Sequence, residues 1–253
     1  MTITRYKLGR LAARFPVELS ALSAYAPDLP APDEVYDGPA DGGFPYGMLG
    51  NDSKGDCTVA GFVHGAEAVD LLEGQSQTVV EAEAPSADEV VSAYLTMTNG
   101  VDSGLVIADV LQTAYATGIA GIKVAAYAPA RGPLAELLSV AQTFGVTKLG
   151  IMLPAVAQEQ FQAGDPWDLT GTSADADIEG GHDVELVAFD QGTETVDVLT
   201  WGRRQPVTFR WLARYLDEAW AVLYSTVQQT GALEGIAWSQ LDADLRSLPG
   251  SVG

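Results

Sequence analysis

Apolar side chains recur at helical spacing over residues 57–73, where Val59, Phe62, Val63, Ala66 and Val69 share a face and Asp56 stands at the N-cap position. A second helix is predicted from Ser86 to about Met97, because Ser86 followed by Glu89 spells a capping box and Asn99-Gly100 ends the run. Further helices are expected over 105–117, closed by Gly118, over 134–144, and in a short piece around 156–161. Residues 74–85 are polar and predict no regular element. The period then shortens to two. Residues 122–127 alternate, 146–153 form a strand stopped by Pro154, and 183–190 and 195–201 form a hairpin turning at Gln191-Gly192. A short strand at 206–208, a helix over 209–217 and an apolar, β-prone run at 219–225 complete the pattern. Helices in the first half and antiparallel strands in the second predict an α+β fold of packed layers.

The ends of the chain differ from this middle. Pro16, Pro27, Pro30, Pro32, Pro39 and Pro45, with the turn at Asp41-Gly42-Gly43, forbid a long helix and predict a segment running extended over the body. Only residues 5–15 there could be helical. The expected organisation is an arm over 1–43, a domain over 44–226, and a tail over 227–253. One short helix in the tail carries Ile236, Leu241, Leu245 and Leu248.

Composition narrows the function. The 253 residues, 47% of them hydrophobic, suffice for a domain of this size with a real core. A net charge of −21 excludes nucleic acid as the main partner and would repel an anionic membrane face. No apolar run approaches the ~18 to 20 residues of a membrane span. The cations Arg5, Lys7, Arg10 and Arg14 precede no apolar stretch, so no secretory signal is expected. Only 4 Lys accompany 9 Arg, a bias of GC-rich coding such as that of actinobacteria and their phages.

Candidate chemistry is sparse and therefore readable. The single cysteine, Cys57, permits neither an internal disulfide nor a cysteine zinc cage. It opens a predicted helix after Gly55, where the helix dipole and free N–H groups favour a thiolate and can hold an oxyanion, although the adjacent Asp56 opposes ionisation. Asn51, six residues upstream, could donate its amide to the same place. An inert thiol beneath a helix is the plainer alternative. His182 follows Gly180-Gly181 at the start of an apolar strand, a position from which an imidazole can act as base; an ordinary strand-end histidine has the same look. His64 lies about 10 Å along the helix from Cys57 and reads as structural. Asp175, Asp177 and Glu179 alternate like the start of a calcium loop, but Leu186 would fill its twelfth position, so a solvated loop is expected and no metal or other cofactor is assigned. Serine-hydrolase, zincin, P-loop and dinucleotide motifs are absent.

Cys57 at a helix start with Asn51 before it, then Gly180-Gly181-His182, then Trp201-Gly202, resembles the papain-like cysteine peptidases in kind and in order. The stretch Gly50-Asn51-Asp52-Ser53-Lys54-Gly55-Asp56-Cys57-Thr58, with Thr200-Trp201-Gly202 and Tyr215-Leu216-Asp217-Glu218, is similar to papain-like proteins of actinobacterial phages. The resemblance covers roughly residues 44–226. It implies Cys57 as nucleophile, His182 as base, and Asn51 with the Cys57 backbone N–H at the oxyanion. It also places Leu199 where the family carries the asparagine that orients the histidine. Leucine cannot accept a hydrogen bond, and Asp197, two residues earlier, is the substitute that strand alternation offers.

Two readings follow. One is a cysteine hydrolase, peptidase or amidase, or a catalytically reduced relative, acting on a protein or peptide substrate. The other is a non-catalytic phage virion component, in the head or tail surface, made in the host cytoplasm and docking to other virion proteins through the same fold. A peptidoglycan amidase is a weaker variant of the first, since no basic wall-binding segment is visible.

Overall fold

The computed structural model describes residues 4–226 and 235–249. Its centre is helix α2, Cys57–Leu72, which is buried nearly all round. A helix this apolar must be covered on every side. The sheet covers one flank, chiefly through β4 (Ile178–Asp190); α4 (Ala87–Met97) and α5 (Ile107–Ala116) cover the other. The sheet runs β2-β7-β3-β4-β5-β6, with the two-residue strand β1 (Val35–Tyr36) also paired to β4. These strands are β2 (Val124–Pro129), β3 (Thr147–Pro154), β5 (Thr195–Thr200), β6 (Arg203–Thr208) and β7 (Leu216–Tyr224), and every pairing is antiparallel. The α+β architecture, helices first and antiparallel sheet second, is the one the patterning predicts.

Local sequence explains most elements, and the exceptions have identifiable causes. Ser86 and Glu89 make the expected capping box at α4. Asp56 does not cap α2: its side chain makes no cap hydrogen bond and is turned into the loop before the helix. Residues 77–83, expected to be irregular, form α3 (Gln77–Glu83), capped by Ser76. Only Val80 of α3 is buried, too little to leave a periodic signal. Strand β4 begins at Ile178, earlier than its apolar run, because Gly180 and Gly181 pair with Leu153 and Met152 of β3.

The segment before α1 (Leu22–Tyr25) contains no helix over 5–15; it is extended and bridges to Leu105 and to Gly181. Those partners supply its backbone hydrogen bonds, which removes the need for a helix. At the other end, α9 (Trp238–Ser247) buries Leu241 and Leu245 against β2 and α1, and the Tyr25 hydroxyl donates to Asp244 at 2.6 Å. The remainder of the predicted tail, residues 227–234 and 250–253, lies outside the described residues. Among those described, no helix is long and apolar enough to cross a membrane.

Candidate active site

Cys57 begins α2 and His182 sits in β4, and both are fully enclosed. Gly61 and Gly65 allow α2 to lie close on the sheet: a Cβ at Gly61 would fall 2.3 Å from Asp183 Oδ1, and one at Gly65 the same distance from the Tyr224 hydroxyl. This approach sets the α2 N-terminus beside the backbone that carries His182 and Asp183. The backbone N–H groups of Asp183 and Gly9 lie against the Cys57 thiol.

The histidine is held on one side only. Its Nε2 lies 2.7 Å from Thr200 Oγ1, and its ring stacks on Trp201 with centroids 4.6 Å apart. Nδ1 has no hydrogen-bond partner, so thiol and imidazole are not bonded to one another. The strand register explains why Thr200 is the partner. Glu185 of β4 stands opposite Leu199 of β5, so the two share a face of the sheet. His182, an odd number of residues from Glu185, shares the other face with Thr200. Trp201 follows with a positive φ of 45°, which breaks the alternation and brings its indole to the same ring.

The orienting substitute expected at Asp197 is corrected by this register. Asp197 stands opposite Ala188, six residues from His182 and about 20 Å along the strand. Its carboxylate faces Arg204 at 3.6 Å. Leu199 is buried in the core. Nor does Asn51 donate towards the thiol: its amide points to Asp56 Oδ1 at 3.3 Å and the Lys54 carbonyl at 3.4 Å, and so ties the loop before α2. Burial pushes the Asp56 carboxyl up to about 7 even though Asn51 opposes the shift. His64 is remote from this chemistry; its Nε2 lies 3.1 Å from the Gly47 carbonyl.

Residues 4–11 lie across the site, which the sequence does not announce. Thr4 and Tyr6 bond to Gln162 and Gln158 of α7 (Ala155–Ala163), and the Tyr6 ring packs on Trp201 at 5.0 Å. Lys7 pairs with Asp102 at 2.6 Å. The Leu105 N–H donates to the Gly9 carbonyl at 2.9 Å and the Arg10 N–H to the Gly181 carbonyl at 3.1 Å, so the arm is stitched to both walls. It fits only because glycines meet there. A Cβ on Gly9 would fall 1.9 Å from the Gly55 carbonyl oxygen, one on Gly104 2.2 Å from the Gly9 oxygen, and one on Gly181 2.3 Å from the Arg10 oxygen.

This cover fixes the resting protonation. Burial pushes the Cys57 thiol up to about 12, reinforced by the Asp183 and Asp56 carboxylates against the two backbone N–H groups. Burial, with the Arg10 charge behind it, lowers His182 to about 3. The closed site therefore holds a neutral thiol and a neutral imidazole. In the acidic loop, Asp175 accepts from Thr170 and Gly171, and Glu179 pairs with Arg5. No cluster of metal-ligating side chains occurs among the described residues.

No protein-family model and no curated protein sequence matches the chain. In structure it is similar to xylellain, a cysteine protease from Xylella fastidiosa, with 13% identity and a TM-score of 0.57 over 90% of this chain and 99% of that one. A structure from work on antibody cross-reactivity between the mite allergens Blo t 1 and Der p 1 aligns with 12% identity and a TM-score of 0.48, covering 84% of this chain and 75% of the other. The helix-first topology and the near end-to-end superposition on xylellain establish that this chain has a papain-like fold.

Proposed function

We propose that the chain is a papain-like cysteine hydrolase of peptide or amide bonds, held latent by its own residues 4–11. The observation that carries this reading is the one-sided hold on His182. Thr200 Oγ1 lies 2.7 Å from Nε2, and with the proton on Nε2 donated to this hydroxyl the Nδ1 lone pair is free on a ring stacked on Trp201. That is the tautomer a base needs. With the arm displaced, His182 Nδ1 takes the Cys57 proton as sulfur attacks the substrate carbonyl, and returns it to the leaving amine. Water then hydrolyses the thioester with His182 again as base. Backbone N–H groups at the α2 N-terminus are suited to the oxyanion. Asn51 serves this indirectly, by holding the loop that presents them.

In this reading Thr200 takes the orienting role for which the sequence, with Leu199 in the family's asparagine place, offered only Asp197. The reading as a non-catalytic virion module draws on no observation in the fold or the site. A substitution that prises off the arm separates the two. Gly9→Ala in the full chain should raise the iodoacetamide labelling rate of Cys57 by about tenfold or more and release hydrolysis of a mixed peptide pool. Cys57→Ser in that background should abolish it, and Thr200→Val should lower kcat about tenfold or more while leaving the melting temperature nearly unchanged. Rapid labelling without cleavage of any peptide would overturn the hydrolase reading.

A further inference from the structure

A groove of about 630 Å³ opens on the helical layer, between α4 and the turn that leads from α5 to β2. Ala93 and Met97 of α4 line it together with Ile119 and Ala120 of the turn, and Asp88 and Glu89 line it where α4 begins. Ala120 has a φ of 48°, a left-handed conformation uncommon outside glycine, and the pairing of Ile119 with Ile122 holds it there. Thr96, Thr113 and Thr117 also contribute to the walls, but each hydroxyl donates to the carbonyl four residues back, at 2.8, 2.8 and 3.2 Å. Their protons are therefore spent within the helices. The charge around the groove is one-sided. Residues 55–122 contain no lysine or arginine, although carboxylates recur along them. Among the described residues of that stretch only Asp102 and Asp109 enter ion pairs, each with a cation of the arm. Glu81 and Glu83 of α3, like Asp88 and Glu89, are exposed and stand outside these pairs. Lys123, the first cation after the stretch, packs beside Gly118 and is not among the lining side chains. The groove is separate from the covered cleft: Val90 and Tyr94 form the buried face of α4, and it is there that the Tyr94 hydroxyl reaches Asp102 at 2.7 Å.

We infer that this groove docks a basic, amphipathic segment of another protein, with its apolar side chains on Ala93, Met97 and Ile119 and its lysines or arginines against Asp88 and Glu89. The inference is independent of the hydrolase reading. The lining offers hydrocarbon and acceptors but few free donors, and that combination suits a side chain with an aliphatic stem and a cationic head. The unpaired carboxylates of α3 and α4 draw such a partner in and repel an acidic one. They repel nucleic acid as well, which leaves a polypeptide as the macromolecule that fits. The charge is durable. Asp88 and Glu89 occupy the first turn of α4, where the helix dipole favours a carboxylate, and the Ser86 hydroxyl and N–H hold the Glu89 carboxyl below its ordinary range.

The test uses the full chain and a fluorescein-labelled peptide made of three repeats of Lys-Leu-Ala-Lys, followed by anisotropy. Two further peptides separate charge from shape: repeats of Lys-Gly-Ser-Lys keep the cations without the apolar side chains, and repeats of Glu-Leu-Ala-Glu do the reverse. The first peptide should bind saturably, the second about tenfold or more weakly, and the third not at all. Ser92→Arg, at an exposed position, narrows the groove and sets a cation four residues from Asp88, where the two can pair. It should weaken the first peptide about tenfold or more and leave the melting temperature nearly unchanged. Thr117→Arg, on the other wall, should have the same effect on binding. Glu18→Gln removes one negative charge at an exposed position outside the groove and should change the affinity less than about twofold. Equal binding of the Lys-Gly-Ser-Lys peptide would assign the attraction to net charge alone and overturn the groove. So would binding that Ser92→Arg and Thr117→Arg leave intact, or no binding by any of the three peptides.

Discussion

The sheet holds two buried clusters of the same composition, one cation between two carboxylates, and they differ in where the cation comes from. On the α2 side, Lys148 of β3 lies 2.7 Å from both Asp183 Oδ1 and Glu185 Oε1, and all three side chains are fully buried. Two residues further along β3 and on the same face, beside Gly150, Arg10 faces Asp217 and Glu218, but it arrives on an arm and one carboxylate reaches solvent. The first cation is part of the scaffold and cannot leave without unfolding. The second is a visitor. Identical chemistry therefore gives a brace within the sheet in one place and the fastening of an arm in the other, and the difference lies in the chain connection, not the contacts.

The largest effect expected from this comparison is at the brace. Lys148→Met leaves two carboxylates buried without a cation and should cost about 3–5 kcal/mol in urea unfolding. Arg10→Ala should cost much less, because the arm can lift and water can reach Asp217 and Glu218. Comparable losses for the two variants would break the distinction.

The next effect is in pH. Each cluster has one carboxylate more than its cation can neutralise. Burial raises Glu185 to about 7 against the pull of Lys148, raises Asp183 in the same direction, and raises Glu218. The folded brace thus retains a proton that the unfolded chain releases near 4.5. Its contribution is complete below that pH and is lost as pH rises through about 7, with a slope approaching 1.4 kcal/mol per pH unit. Glu185→Gln should flatten the decline of stability between those pH values, and Glu218→Gln should flatten it less. Unchanged slopes in both would place the excess proton elsewhere.

How much of this was legible in the sequence depends on distance along the chain. Cys57 at a helix start and His182 after two glycines are local signals, and both residues are buried. Thr200 was hidden because its role follows from the register of Glu185 against Leu199 and from the left-handed turn at Trp201, neither of which alternation alone reveals. The same local reasoning sent Asp197 to the histidine, when pairing puts it beside Ala188. Prolines and glycines predict an extended arm, but the path of residues 4–11 past Cys57 depends on partners 95 to 208 residues away, at Asp102 and Glu218. The convergence of Asp217 and Glu218 needs a bulge that no composition predicts.

The smallest effect sharpens the comparison further, because each cluster is accommodated by a glycine. Gly61→Ala should gain helix propensity, yet its Cβ meets the immobile Asp183 Oδ1 at 2.3 Å, so a net loss of about 1–2 kcal/mol is expected in thermal unfolding. Gly150→Ala meets the buried Glu218 Cγ at 2.6 Å and Arg10 Cδ at 2.8 Å, but the arm carrying Arg10 can lift to relieve the clash, so a loss of about 1 kcal/mol is expected. Its signature should be faster labelling of Cys57. A stabilised Gly61→Ala protein would show that the brace has slack.

The threading of the arm past Gly9, Gly104 and Gly181 also has a hereditary consequence. Any missense change in a glycine codon adds at least a Cβ, and at each of these positions that carbon would fall within 2.3 Å of a backbone oxygen on the arm or its wall. Closure is thus a trait with several independent one-step routes to loss, none of which alters Cys57, His182 or Thr200. A lineage can change how tightly the cleft is shut far more readily than what the cleft contains, so restraint and chemistry are free to evolve at different speeds within one chain.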